Sequence, residues 1–224
     1  LGYGSTQIEV IPNLIDEAKL RRWPPGQARE ALGLPDGPIV GFVGHFHDVK
    51  GHDVLIEAFR SVAAQIPDAR LALAWSGIGS QAKTRAAVAR AGIADRVVEM
   101  GRVDVGQFFS AVDVAALPYR FSIGQAAFPG TVIEAMWIGV PLVTTRLPLL
   151  EELCDGGSAL LAEPGDAIDL GTQLVRLLSD KELADTTVKA QQALMSERFD
   201  QRSIVEQYVD LYKRVIESVP AGRH

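Results

Sequence analysis

One cysteine, Cys154, stands in the whole sequence, so no internal disulfide can form. A reducing cytosol is the natural setting for such a chain. Long apolar runs are also missing. None approaches the roughly 18–20 residues that cross a bilayer, which excludes a transmembrane helix, and no secretory signal pattern is present. Positive charge is in deficit, with 22 Lys and Arg against 28 Asp and Glu and a net charge of −6. That balance excludes broad nucleic-acid binding, which needs a phosphate-neutralising surface. A local basic pocket for one small anion stays compatible with it. Internal repeats and low-complexity linkers are absent too. The opening "LGYGSTQIEV" carries no initiator Met and reads as the interior of a longer polypeptide.

What the sequence does have is apolar content, 47% over 224 residues, enough for a substantial core. Short β-rich runs alternate with helical patterns. The strand candidates are "IEVIPN", "PIVGFVG", "RLALAWSG", "RVVEMG", "VDVAALP", "VPLVTT" and "SALLAEP". Most are continuously apolar, as parallel strands covered on both faces must be. Between them "HDVLIEAFRSVAAQI" spaces Leu55, Phe59, Val62 and Ile66 by three or four, one buried helical stripe. "QAKTRAAVARAGI", "GTVIEAMWIG" and "IDLGTQLVRLLSD" follow the same pattern. Strand–helix alternation predicts right-handed βαβ units in an α/β fold, a Rossmann-like doubly wound parallel sheet over residues 1–180. From Lys181 only helix is predicted, so residues 181–224 read as a C-terminal helical extension of the same domain.

Three of the four histidines fall in "VGHFHDVKGHD", residues 43–53. His45 and His47 stand two apart at a strand's end and could share a face. A catalytic zinc needs about three protein ligands and an open position. His52 belongs to the start of the next helix, the remaining histidine is terminal, and the only thiol is Cys154. An H-x-H-x-D-H pattern requires Asp and His where Val49 and Lys50 stand, and a lysine repels a cation. No metal is expected there.

The alternative is a phosphate turn, because ligands of open parallel sheets bind beyond the carboxyl ends of the strands. Gly44 allows a tight turn or close approach. Lys50 is placed to reach a phosphate and His45 to donate a hydrogen bond. Equally, Lys50 reads as a solvated loop lysine and Gly51 as a mere helix-start residue. In "FPGTVIEAMWIGVPLVTT", Gly130 opens a short helix whose free N–H groups and dipole favour an anion. Glu134, one turn in, suits either a ribose diol or simple stabilisation of the helix dipole.

Seven motifs in one order carry a resemblance: "VIPNLID", "VGHFHDVKG", "RLALAWSG", "ADRVVEMG", "AVDVAALP", "FPGTVIEAMWIGVPLV" and "ERFD". Together they resemble the C-terminal, donor-binding half of family-4 glycosyltransferases with the GT-B fold. The resemblance implies retaining, metal-independent transfer of a sugar from a UDP-, GDP- or ADP-sugar to an acceptor hydroxyl, without a further cofactor. It implies that Lys50, with His45, grips the diphosphate and stabilises its charge. Glu134 would hold the ribose hydroxyls, the amides near Gly130 and Thr131 would face the distal phosphate, and Val103 would touch the base. Gly44 and Gly77 match the glycines of their motifs and count as donor-binding. The acceptor site would belong to an N-terminal domain outside this chain, so the isolated domain is expected to bind donor weakly and transfer nothing. A cytoplasmic protein is implied, touching a membrane at most peripherally and only through that other half.

Several positions depart from the family. His45 stands where arginine is usual, Trp75 where glycine is usual, and Pro129 where glycine is frequent. Ala126 stands where a glutamate touches the transferred sugar; Gln125 or Ser122 are substitutes within reach. Ala126 keeps open a degenerate, non-catalytic nucleotide-binding or interaction module. An NAD-dependent oxidoreductase is a second rival, but "SGIGSQ" offers only G-x-G, and at an interior strand.

Overall fold

A computed structural model describes residues 9–17, 20–121 and 129–218. Its strands are β1 (Ile39–Phe46), β2 (Arg70–Gly79), β3 (Val97–Met100), β4 (Val114–Ala116), β5 (Leu142–Thr145) and β6 (Leu160–Ala162). All pair in parallel, in the order β3-β2-β1-β4-β5-β6. The central strands β1, β2, β4 and β5 are mainly apolar and largely buried, because helices cover both faces of the sheet. The chain leaves β1 toward β2 and β3, then returns to β4 on the other side of β1. That reversal opens a crevice between the carboxyl ends of β1 and β4.

The helices are α1 (Pro25–Leu32), α2 (His52–Gln65), α3 (Gln81–Ala91), α4 (Val105–Ala111), α5 (Gly130–Ile138), α6 (Pro148–Cys154), α7 (Ala167–Ser179), α8 (Lys181–Arg198) and α9 (Gln201–Ser218). α2 packs on α3 and α7, whereas α4 packs on α1 and α5, and α5 on α8. Right-handed crossovers put the first group on one face of the sheet and the second on the other. The stripe predicted on α2 is the one buried: Leu55, Phe59 and Val62 are fully covered and Ile66 partly. Each full burial contributes about 2 kcal/mol.

Three expectations are corrected. "IEVIPN" is not a strand over residues 9–13, which form no regular element. Second, β1 does not turn at Gly44. It continues to Phe46, where the pairing slips so that Phe46 meets Gly79 instead of the next residue in register. Third, α1, α4 and α6 fall in stretches for which no helix was predicted. The reversal of the chain comes later, at Gly51, with φ +66°. A Cβ there would lie 1.8 Å from the Pro118 carbonyl oxygen, so this position needs glycine both for conformation and for space.

The C-terminal helices begin at Lys181 as predicted, where Asp180 caps α8 by accepting from the Leu183 N–H at 2.9 Å. On α9, Ile204 is buried against the domain, while Val205, Val209, Tyr212 and Ile216 are exposed. Arg214 pairs with Glu9, tying α9 to the start of the described chain. Among the described residues no helix is long and apolar enough to cross a membrane.

Candidate functional site

The turn beyond β1 is built by local hydrogen bonds. Lys50 N–H donates to the His47 carbonyl at 2.9 Å and Gly51 N–H to Asp48 at 3.2 Å, closing a single 3-10 turn over Asp48–Lys50. The His47 ring accepts from Val49 N–H through Nδ1 at 3.4 Å, acting as the cap of its own turn. Arg120, just after β4, clamps the turn from the other strand. Its N–H donates to the Val49 carbonyl at 3.0 Å and its guanidinium meets Asp53 at 2.7 Å. The residues between these anchors therefore sit at the switch point of the sheet.

Lys50 is half-buried there. Its Nζ lies 4.6 Å from the centre of the Tyr119 ring. Among the described residues, no carboxylate is within ion-pair reach of it. Burial lowers its pKa from the ordinary lysine value. Tyr119 is buried, 2% exposed, and the side chain of Thr131, on the first turn of α5, lies close to its hydroxyl. Burial, reinforced by the Glu134 carboxylate, raises the phenol well above its usual pKa. Lys50, Tyr119 and Thr131 thus form one chain of contacts from the β1 turn to the start of α5.

α5 begins at Gly130 with Pro129 at its N-cap position, and no side chain caps the helix. Glu134 follows one turn later, half-buried, and desolvation raises its pKa above the ordinary carboxylate value. Glu134, Gly130 and Val103 line one cavity of about 450 Å³, together with Asn13, Asp16 and Asp104. Leu14, Ile15, Leu20 and Ile133 give that cavity apolar walls. A carboxylate and an amide side chain beside an apolar wall suit a polar ring that carries vicinal hydroxyls.

His45, Gly44 and Gly77 lie outside the wall of this cavity. His45 Nδ1 is hydrogen-bonded to Ser76 Oγ, leaving Nε2 for another partner. The Ser76 carbonyl accepts from Arg102 Nε at 2.9 Å, and the Arg102 guanidinium passes over Gly77, whose φ is +97°. A side chain at residue 77 would displace that arginine. His52 takes another course: it is buried, 6% exposed, and stacks on Phe46 at 5.0 Å, and burial lowers its pKa. The three histidine rings serve three different partners. Ser122, Gln125 and Ala126 lie outside the described residues.

Sequence reading missed Tyr119, Arg102 and the cavity contribution of Asp16. An aromatic residue following a buried strand reads as core, and only its position at a parallel strand's carboxyl end marks it otherwise.

Over residues 37–180 the chain matches the sequence profile of the family described as Glycosyl transferases group 1. The D-inositol 3-phosphate glycosyltransferase 2 of Catenulispora acidiphila is 32% identical over 223 residues, covering 92% of this chain and 51% of that protein. Anabaena Alr3699/HepE, solved in complex with UDP and glucose, superposes with a TM-score of 0.83 at 25% identity, over 95% of this chain and 59% of that one. The C-terminal domain of a glycosyl transferase group 1 family protein (LpcC) from Francisella tularensis shares the fold, with a TM-score of 0.69 at 18% identity. It is covered to 96% by 81% of this chain. The chain spans about half the length of the curated relatives it matches. With a profile match over most of its length and the doubly wound sheet of such enzymes, this chain belongs to the glycosyl transferases group 1 family.

Proposed function

We propose that this chain is the C-terminal, donor-binding half of a retaining family-4 glycosyltransferase of GT-B architecture. One observation carries the reading. Lys50, with no carboxylate partner among the described residues, meets the Tyr119 ring at the switch point of the sheet, and the N-terminus of α5, without a side-chain cap, opens on the cavity that holds Glu134 and Val103. Lys50 and the Gly130–Thr131 amides would take the diphosphate, Glu134 the ribose hydroxyls, and the backbone at Val103 the base. His45 would add a hydrogen bond to the diphosphate from Nε2, while Gly44 and Gly77 keep the floor of the crevice open. Anabaena HepE binds UDP and UDP-glucose, so a UDP-hexose is the first donor to try.

The chemistry asked of this half is electrostatic. As the sugar–phosphate bond breaks, negative charge grows on the departing diphosphate. Preorganised donors aimed at that charge lower the barrier without reorganising. In this reading transfer needs no metal or other cofactor. The acceptor, its hydroxyl and any membrane contact are left to an N-terminal domain in the cytoplasmic full-length protein. The donor domain proper takes residues 1–180, with 181–224 its helical extension, and the 224 residues alone turn over no donor. A second reading, a nucleotide-binding module without activity, is favoured by Ala126 at the position of the sugar-contacting glutamate.

A thermal-shift titration with UDP, GDP and ADP tests donor binding. A ligand at about 100 times its Kd adds about 2.7 kcal/mol of stability. For a domain of this size that is a rise of roughly 5–10 °C. The expected result is a rise with one nucleotide that is lost in Lys50→Ala and Glu134→Ala; equal rises in wild type and both variants would refute the site. Donor turnover by the full-length protein separates the two readings.

A further inference from the structure

We infer that Tyr119 is a positioning residue for the diphosphate: its ring face holds the Lys50 ammonium, which has no carboxylate partner among the described residues, beside the first turn of α5. The inference rests on the donor-site reading above. A buried or half-buried lysine usually has a carboxylate partner, and that partner would neutralise it and compete with an incoming phosphate. A ring face does neither. It attracts the cation through its quadrupole, excludes water from one side, and leaves all three N–H donors free for anionic oxygens.

Tyr119 is fixed by its surroundings: its backbone carbonyl accepts from Thr145 Oγ1 at 2.6 Å, its neighbour Arg120 is bonded to Val49 and Asp53, and the Thr131 side chain lies close to its hydroxyl. These contacts lead to different parts of the crevice: β5, the turn that carries Lys50, and α5. The same side chain therefore sets the lysine and touches the helix start, the two groups that must converge on one diphosphate. Its ring belongs to neither the base nor the ribose cavity, whose walls are formed by other residues.

Calorimetric titration of UDP and of uridine into the wild-type chain, Tyr119→Phe, Tyr119→Leu, Lys50→Ala and the Lys50→Ala/Tyr119→Leu double variant tests this. Tyr119→Phe keeps the ring face and should bind UDP within about threefold of wild type. Tyr119→Leu should weaken UDP roughly tenfold, the scale of one partly desolvated cation–π contact, and leave uridine unchanged. In the Lys50→Ala background the leucine should add nothing, because the two residues act as one unit. Thermal unfolding of each variant confirms that it is folded. An equal loss for uridine, or the same loss with and without Lys50, would show that the ring only packs the core and overturn the inference alone. A wild-type chain that binds no nucleoside diphosphate would overturn this inference and the donor-site reading together.

Discussion

Lys50 and Glu134 carry opposite charges at the same crevice, and each is held there at a cost to stability. Glu134 has a folded pKa above the ordinary 4.5, so the folded state binds its proton more tightly than the unfolded chain. Its contribution to stability therefore falls as pH rises from 4.5 through the folded value. Lys50 has a folded pKa below 10.5, so its contribution rises as pH climbs from the folded value to 10.5. Glu134→Gln should raise Tm at neutral pH by roughly 1–3 °C, about 0.5 kcal/mol, and flatten the acid limb of the stability curve. The same variant should weaken nucleotide binding, which is the usual opposition of function and stability. A Tm that falls would mean Glu134 is a structural cap. Nucleotide affinity should itself rise through the ionisation of Glu134 and decline at alkaline pH, earlier than an ordinary lysine would give; a titration series from pH 4 to 10 reads both limbs. These two residues were legible because motif spacing fixed them at a helix start and a strand end. Tyr119 was not, since its role comes from a lysine 69 positions away in sequence, and no local pattern reports that.

Elements were legible where their pattern is long and self-sufficient. α2 satisfies its periodicity with its own residues, and the central strands are mainly apolar. "IEVIPN" has the composition of a strand, but pairing depends on a neighbour that the local sequence does not contain, and residues 9–13 find none. The short helices α1, α4 and α6 have too few turns to show a period, although α1 carries proline in its first turn and Gly33 at its end. The β1–α2 connection shows the same limit. Gly44 looked like the turn, whereas contact with Pro118 puts it at Gly51. Gly51→Ala should therefore cost about 3 kcal/mol or leave the chain unfolded, through both the clash and the left-handed backbone. Gly44→Ala, at φ +159° but with a Cβ that would meet only the Phe42 ring at 3.4 Å, should cost less than Gly51→Ala, which adds a backbone clash to its strain. Denaturant midpoints of the two variants decide between the positions. On α9, Ile204→Ala should cost about 3 kcal/mol and Val209→Ala under about 0.5, because only the first side chain is buried.

At the scale of the molecule, composition and site point in different directions. The chain is acidic overall, yet its switch-point crevice presents a cation, Lys50, with no carboxylate partner among the described residues, and a helix N-terminus. Net charge argues against broad nucleic-acid binding without excluding a small anion, and the fold decides where that anion can sit. The parallel sheet was expected from the alternation of elements, whereas the strand order β3-β2-β1-β4-β5-β6 is given by the structure. What the alternation could not give is the continuity of Lys50, Tyr119 and Thr131 across β1, β4 and α5, since it requires three separate segments to meet. A crystal structure of the chain with UDP, or with whichever of GDP and ADP binds more tightly, is the most direct measurement. Diphosphate oxygens should lie within hydrogen-bonding distance of Lys50 Nζ and the Gly130–Thr131 amides, with the ribose on Glu134 and the base beside Val103. A nucleotide bound elsewhere, or none at saturating concentration, would contradict the account.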